Sequence, residues 1–182
     1  NSSSRWMREL EKDRKNVSIQ WRCFVDDLDF GLDANRSALE WGTIENHGLE
    51  EKQESRMTHR SDRGWQSTGV MVEPGESIEV RAEGRIVVRE FENGKKWSSE
   101  PQGITVEYYR GKPLGCLIGG LASVEEEQPT ARWETVRIGK QAVLKATKKS
   151  LLLLKTNEPS RDLADNQGTL SVSIRKAAES ME

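Results

Sequence analysis

Cysteine and histidine are scarce in this chain, with two residues of each among 182. Cys23 and Cys116 stand far apart without a metal-ligand spacing, so they indicate neither a zinc site nor a disulfide framework. One disulfide between them and two buried free thiols are both compatible with the sequence. His47 and His59 match no histidine ligand pattern, so the sequence offers no zinc motif.

Long apolar runs and an excess of one charge are also absent. The longest apolar run, Leu151–Leu154, is far shorter than the about 20 residues of a membrane helix, so we expect no membrane span. The formal net charge is -2, and such a balance argues against nucleic acid as a partner. The chain starts at Asn1 without an initiator methionine, which we interpret as a processed or excised piece of a longer protein.

Catalytic signatures are missing as well. The sequence contains no Gly-x-Ser-x-Gly elbow, phosphate-binding loop or dinucleotide fingerprint. Gly115–Gly120 is rich in glycine, but no helix follows it, so close strand packing explains it better than a ligand loop. Charged residues make up 32% of the chain, and no pair of carboxylates therefore stands out as catalytic. We expect a protein that is not an enzyme.

Hydrophobic residues alternate with polar ones from residue 64 onward, which predicts short β-strands. Glu73–Glu76, which contains Pro-Gly, and Asn93-Gly94 are strong turn signals between them. About eight strands without intervening helices predict an all-β fold, an antiparallel β-sandwich or jelly roll. The nine candidate segments for these strands are 65–72, 78–82, 86–91, 104–108, 114–121, 135–138, 142–146, 150–156 and 169–174.

The first 62 residues are more polar, and we predict an N-terminal helix-plus-strand arm there. Its elements are a short helix (4–15), a strand (17–25), a solvated acidic turn (26–35), a second short strand (38–44) and a charged linker (50–62). The strand at 17–25 rests on alternating apolar residues, from Val17 to Val25. The predicted organisation is an arm over 1–62, a sandwich over 63–177 and a tail over 178–182.

One connection, 156–168, is rich in oxygen-bearing side chains. It joins the apolar strand 150–156 to the alternating strand 169–174 and contains Glu158, Asp162, Asp165 and Asn166. Calcium takes six to eight oxygen ligands at about 2.3–2.6 Å, from carboxylates, amides and carbonyls. The loop taken alone fits either a calcium site or a polar loop whose Asp and Asn residues serve turn geometry.

Several segments carry a family resemblance by their shared order. They are Pro74–Gly84, Pro101–Gly103 after Trp97, Gly115–Gly119, Arg137–Gly139, and Asp165-Asn166 before Gly168–Ile174. Together they resemble the LecA (PA-I galactophilic lectin) family, a small jelly-roll sandwich that binds galactose through calcium. The resemblance implies Ca2+ ligands from the side chains of Glu158, Asp165 and Asn166, and from backbone carbonyls at Asp162 and Val88.

The sugar-binding positions depart from that family. The family has a His and a Gln in the segment that corresponds to Ile104–Pro113, and this chain has neither. Val88 stands where the family has an aromatic residue. Galactose specificity is therefore not carried over. Trp97, Tyr108 and Tyr109 could instead form an aromatic platform for a ligand, or they could be ordinary core and strand-face aromatics.

Two other segments, Arg63–Val70 and Tyr108–Gly115, resemble a domain found within large multi-domain bacterial surface proteins. This likeness implies an extracytoplasmic location. Our leading hypothesis is a non-catalytic module that binds carbohydrate with calcium at the 156–168 loop. The alternative is a structural or protein–protein interaction domain of a larger bacterial envelope protein, with a partner protein and no small ligand. Neither the ligand nor the oligomeric state follows from the sequence.

Overall fold

The computed structural model describes residues 2–41, 46–51, 53–124 and 134–178, with side chains from residue 12 onward. Two α-helices precede a series of strands, and a short 3-10 helix, Ser160–Asp165, lies between the last two. The helices are α1 (Ser2–Asp27) and α2 (Ala34–Ser37). The strands are β1 (His47–Gly48), β2 (Glu54–Arg60), β3 (Gln66–Val72), β4 (Ser77–Gly84), β5 (Ile86–Glu90), β6 (Lys96–Ser99), β7 (Ile104–Tyr109), β8 (Lys112–Leu114), β9 (Leu117–Ser123), β10 (Thr135–Arg137), β11 (Gln141–Lys145), β12 (Ser150–Thr156) and β13 (Thr169–Lys176).

Two larger sheets build the sandwich. The first has the strand order β1-β3-β12-β9-β10 and the second has β11-β4-β13-β2, while β5-β6 and β7-β8 form two hairpins. Every pairing between these strands is antiparallel except the short parallel contact of β1 with β3. The predicted antiparallel β-sandwich is therefore confirmed.

Alternation along the strands explains the main core. Val80 and Val172 belong to the second sheet, Val70 and Leu154 to the first, and all four are buried in one cluster between the sheets. Burying such side chains removes apolar surface from water, at about 25 cal/mol per Å². Turn glycines close the hairpins: Gly94, for example, has a φ of 75°, which an L side chain rarely adopts.

Strand β12 is buried on both faces, which explains its continuous run of leucines. Leu152 and Leu154 join the core between the sheets, whereas Leu151 and Leu153 pack in a second cluster on the other side of the first sheet. That second cluster includes Ile19 from α1. Helix α1 therefore covers the outer face of the first sheet, and the fold has three layers at this point.

The predicted strand over residues 17–25 is wrong, because these residues lie in α1. At 3.6 residues per turn, every second residue alternates between two opposite faces of a helix. Ile19 and Cys23 face the first sheet, whereas Val17, Trp21 and Val25 remain exposed. A helix with apolar residues on both faces thus produces the same period of two as a strand.

Two further predictions for the arm need correction. The predicted linker over 50–62 contains β2, which pairs with β13 from Glu54 to Arg60 and so belongs to the second sheet. The predicted strand over 38–44 is reduced to one bridge, between Glu40 and Gln66, and residues 42–45 lie outside the described residues. The domain boundary at residue 62 stays a prediction. Within the part of the chain that the structure describes, no helix is long and apolar enough to span a membrane.

Candidate functional site

The 156–168 connection is anchored at its start by Asn157. The side-chain amide of this buried residue donates hydrogen bonds to the backbone carbonyls of Tyr109 (2.9 Å), Lys112 (3.0 Å) and Pro113 (3.0 Å). These bonds tie the end of β12 to the β7–β8 hairpin. The connection therefore leaves a fixed strand rather than a mobile surface, which is the condition for holding side chains in one geometry.

Glu158 and Asn166 meet across this connection. The Asn166 side-chain nitrogen donates to Glu158 Oε2 at 2.5 Å and to the carbonyl of Ser61 at 2.9 Å. Glu158 is completely buried, and Asn166 is 5% exposed. The end of β12, the 3-10 helix and the residues after β2 thus bring together two side chains that the sequence proposed as metal ligands.

The second oxygen of each of these side chains lacks a partner. Glu158 Oε1 and Asn166 Oδ1 are both buried, and neither has a hydrogen-bond partner among the described residues. Leaving a buried acceptor unsatisfied costs about 1–3 kcal/mol, and more for a charged group. Burial raises the pKa of Glu158 to about 8, with the nearby Asp165 and Asp162 adding to this effect. The carboxyl is therefore mostly protonated at neutral pH unless a cation is supplied.

A hard cation is the group that these oxygens suit. Carboxylate and amide oxygens are calcium ligands, and a cation would remove both the unsatisfied acceptors and the cost of a buried negative charge. Across residues 2–41, 46–51, 53–124 and 134–178, no three Asp, Glu, His or Cys side chains converge as a metal-binding group. A cation at this position would therefore be bound by Glu158, Asn166 and neutral oxygens rather than by a cluster of carboxylates.

The other predicted ligands have other roles in the structure. Asp165 Oδ2 accepts a hydrogen bond from the backbone N–H of Glu90 at 2.8 Å, which fixes the 3-10 helix against β5. Asp162 lies in the same 3-10 helix, and its carboxylate is 3.6 Å from Arg161 Nε. The Val88 side chain is buried in the sandwich core. Its neighbour Val87 pairs with Gln167 through two backbone hydrogen bonds, so β5 runs beside the connection.

Arg89 contacts Trp97 and lies within electrostatic range of this connection. Its guanidinium forms two hydrogen bonds with Glu107, at 2.7 and 3.1 Å, and lies 5.0 Å from the centre of the Trp97 ring. The Arg89 pKa is raised mainly by Glu107, with smaller contributions from Asp162 and Glu158, so the cation lies within electrostatic range of the site. Trp97 is half-buried, and its other ring neighbour is Phe91. Sequence reasoning missed Arg89 and Glu107 because no local motif marks them.

The two predicted tyrosines separate on β7. Adjacent residues of a strand point to opposite faces, and Tyr108 is exposed while Tyr109 packs against the core. Arg110 lies 5.2 Å from the Tyr109 ring, and burial raises the pKa of Tyr109, with Asp26, Asp27 and Asp29 adding to that effect. Tyr109 therefore lies toward the end of α1, whereas Trp97 lies beside Arg89, which is within electrostatic range of Glu158.

The acidic stretch after α1 is only partly a solvated turn. Asp27 is fully buried and forms an ion pair with the equally buried Lys155, and its carbonyl accepts a hydrogen bond from the Ser160 hydroxyl at 3.0 Å. Asp33 caps α2 by accepting from two backbone N–H groups. The interpretation as a solvated turn is therefore wrong for Asp27. Its partner Lys155 lies 128 residues away, so no local pattern could have revealed the pair.

No activated nucleophile emerges from the described cysteines and buried histidine. Both cysteines are free and buried, and burial raises the pKa of Cys116 to about 11 and that of Cys23 further. The neutral thiol is a poor nucleophile. His59 is buried beside Thr156, with 3.0 Å between Nε2 and Oγ1, and burial lowers its pKa to about 4. These groups act as core residues.

Comparison with known proteins gives a structural likeness only. No family model and no curated protein match the chain. A solved structure described as "EclA N-terminal domain; PllA-like lectin" is similar to it, with a TM-score of 0.51 and 19% identity, over 67% of this chain and 95% of that one.

Two further solved structures are much less similar. IMPa from Pseudomonas aeruginosa, in complex with an O-glycopeptide, has 15% identity and a TM-score of 0.36, over 76% of this chain and 14% of that one. PliG from Aeromonas hydrophila, a periplasmic lysozyme inhibitor, has 6% identity and a TM-score of 0.35, over 76% of this chain and 96% of that one. Both likenesses are too distant to indicate the fold. The comparison with the lectin domain shows that this chain has a lectin-like β-sandwich fold.

Proposed function

We propose that the chain is a non-catalytic carbohydrate-binding module whose ligand is held at the 156–168 loop with the help of Ca2+. The observation that carries this proposal is the pair of buried oxygens, Glu158 Oε1 and Asn166 Oδ1, that lack hydrogen-bond partners. They lie in a connection of a sandwich that is similar in fold to a lectin domain. Galactose is not part of the proposal.

Glu158 and Asn166 would hold the cation through these two oxygens. The remaining ligands of a six- to eight-coordinate ion would come from the backbone carbonyls of Val88 and Asp162, from Asp165, from water and from the sugar. Calcium would give the Glu158 carboxylate a positive charge in direct contact, in addition to the electrostatic influence of Arg89. We also propose an extracytoplasmic location, where calcium levels suit sites with dissociation constants of about 10⁻⁴–10⁻³ M.

Trp97 is the side chain best suited to contact a sugar beside the cation. Sugar rings present apolar C–H faces that pack on aromatic rings, while their hydroxyls need fixed polar partners. The half-buried Trp97 ring lies next to Arg89 and Glu107, whose paired charges are held in one geometry. Arg89 and Glu107 therefore join Trp97 as candidate contacts for sugar hydroxyls.

A glycan array with calcium and with a chelator tests the proposal. We expect glycan binding by the wild-type chain in calcium, and loss of binding with chelator or with Glu158→Gln. Trp97→Ala should lose glycan binding while keeping calcium binding, and Phe30→Ala, at a 91% exposed aromatic residue, is the matched control. A folded wild-type chain that binds calcium but no glycan would contradict the carbohydrate part. A folded chain that binds neither would favour the interaction domain.

A further inference from the structure

Exposed apolar side chains concentrate on and directly after α1. Ten large hydrophobic side chains of the described residues are exposed, and six of them lie between residues 17 and 30. The six are Val17 (62%), Trp21 (50%), Phe24 (37%), Val25 (46%), Leu28 (59%) and Phe30 (91%). Single exposed apolar residues are ordinary, but a contiguous group of them marks an interaction surface.

Four of these residues follow the spacing of a coiled-coil seam. Val17, Trp21, Phe24 and Leu28 are separated by four, three and four residues, which is the a/d repeat of a heptad. Leu10 and Met7 continue the repeat toward the N-terminus, with Arg14 at the intervening position. We call positions 7, 10, 14, 17, 21 and 24 of α1, together with Leu28 directly after it, the outer seam.

The opposite face of α1 is already occupied. Ile19 and Cys23 are buried against the first sheet, in the cluster that includes Leu151 and Leu153. Val17, Trp21 and Phe24 therefore lie away from the first sheet, and their heptad spacing is unnecessary for packing on a sheet. A repeat of this kind is explained by a second helix that packs along it.

We propose that the outer seam binds the outer seam of a second copy of this chain, as an antiparallel helix pair. A two-fold interface uses the same surface on both partners, so the seam must complement itself. With both helices fully overlapped in opposite directions, Leu10 comes opposite Trp21 and Met7 opposite Phe24. The same register places Arg14 beside Val17 of the second copy, whereas a parallel pair would bring two Arg14 residues together.

Charge distribution and area also fit a second copy. Residues 2–15 contain five basic and three acidic residues, whereas residues 16–29 contain one basic and three acidic residues, so the antiparallel arrangement brings a basic end beside an acidic end. Asp26, Asp27 and Asp29 each have an ion-pair partner within the chain, so this attraction is modest. A helix of 26 residues is about 39 Å long and about 10 Å wide, which gives about 400 Å² of projected face per copy. The total of about 800 Å² is below the about 1,000 Å² of a stable interface, so we expect a weak, concentration-dependent dimer.

Sedimentation velocity of the full chain over about a hundredfold range of concentration tests the proposal. We expect a monomer–dimer equilibrium in the wild type and a monomer at all concentrations for Trp21→Glu. Val143→Glu, at a position 59% exposed on β11, is the matched control and should dimerise like the wild type. Arg14→Leu should lower the concentration of half-dimerisation, by about tenfold. Circular dichroism and thermal unfolding verify each fold, and Phe24→Ser replaces Trp21→Glu if that variant does not fold.

Two results would overturn the proposal. One is a wild-type chain that stays monomeric at every concentration. If such a chain sediments with lipid vesicles, the seam binds a lipid surface and not a second copy. The other is a folded Trp21→Glu variant that dimerises like the wild type. Neither result bears on calcium or carbohydrate binding, because the seam and the 156–168 loop are tested by separate variants.

Discussion

Two buried ionisable side chains, Lys155 and Glu158, lie three residues apart at the end of β12, but their surroundings differ. Lys155 is 2% exposed and forms an ion pair with the buried Asp27 of α1. Glu158 is also fully buried, yet its partner is the neutral amide of Asn166, and one of its oxygens has none among the described residues. A buried charge is stable only when paired. Both carboxylates thus leave one oxygen without a hydrogen-bond partner among the described residues, but Asp27 has a direct cationic partner, whereas Glu158 requires a proton or a cation.

The largest expected effect comes from breaking the buried ion pair of Asp27 and Lys155. Lys155→Met leaves the Asp27 carboxylate buried without its cation, so we expect the free energy of unfolding to fall by about 3–5 kcal/mol, measured by urea denaturation. The double variant with Asp27→Asn removes both charges and should recover much of that loss. A Lys155→Met chain as stable as the wild type would mean that the ion pair does not form.

Glu158, which has no ion-pair partner among the described residues, should make stability depend on pH in calcium-free buffer. The Glu158 pKa is raised from its ordinary value to about 8, so the folded chain holds a proton that the unfolded chain releases near pH 4.3. Stability from this group is complete below the unfolded pKa and is lost as pH rises through the folded pKa, by about 1.4 kcal/mol per unit.

Comparison with Glu158→Gln isolates this effect. Between pH 5 and 7.5, we expect the wild type to lose about 3 kcal/mol more than the variant, measured by denaturation with a chelator present. The His59 contribution, which has the opposite sign, cancels in this difference. Saturating calcium should remove the pH dependence. A difference between the two chains that does not change with pH would contradict a buried, unpaired Glu158.

Asn157 provides a neutral contrast to Glu158, because its side-chain amide donates to three carbonyls. Asn157→Ala leaves these buried acceptors without their donor, and we expect a loss of about 1–3 kcal/mol at every pH between 5 and 8. Calcium should stabilise this variant and the wild type equally, as measured by thermal unfolding. A pH-dependent loss would show that Asn157 acts on the site itself.

The smallest effect is expected at Asp165. Its carboxylate already accepts the N–H of Glu90, and Asp165→Asn keeps an oxygen for that bond. We expect the calcium dissociation constant to change by less than about tenfold and stability by less than about 1 kcal/mol. Calorimetry measures the first and urea denaturation the second. Complete loss of calcium binding would place Asp165 among the essential ligands and would support the sequence-based ligand set.

Local patterns were sufficient to predict the sandwich. Alternation marked β4 and β13, and Asn93-Gly94 marked the turn between β5 and β6. Local patterns failed for α1, because apolar residues on two faces of a helix imitate a strand, and for β2, whose charged residues lie in a half-exposed strand. They also missed contacts between distant residues, such as Asn166 with Ser61, which are 105 residues apart. The oxygens of Glu158 and Asn166 were predicted to lie together, but their burial depends on the whole fold.

Calcium titration by calorimetry of the wild-type chain and Glu158→Gln, at pH 6.5 and 7.5, tests the account most directly. The account predicts one site in the wild type, with affinity rising by up to about tenfold per pH unit as calcium displaces the proton from Glu158, and no site in the variant. A wild-type chain that is folded, produces no heat at millimolar calcium and gains no thermal stability from it would contradict the central claim.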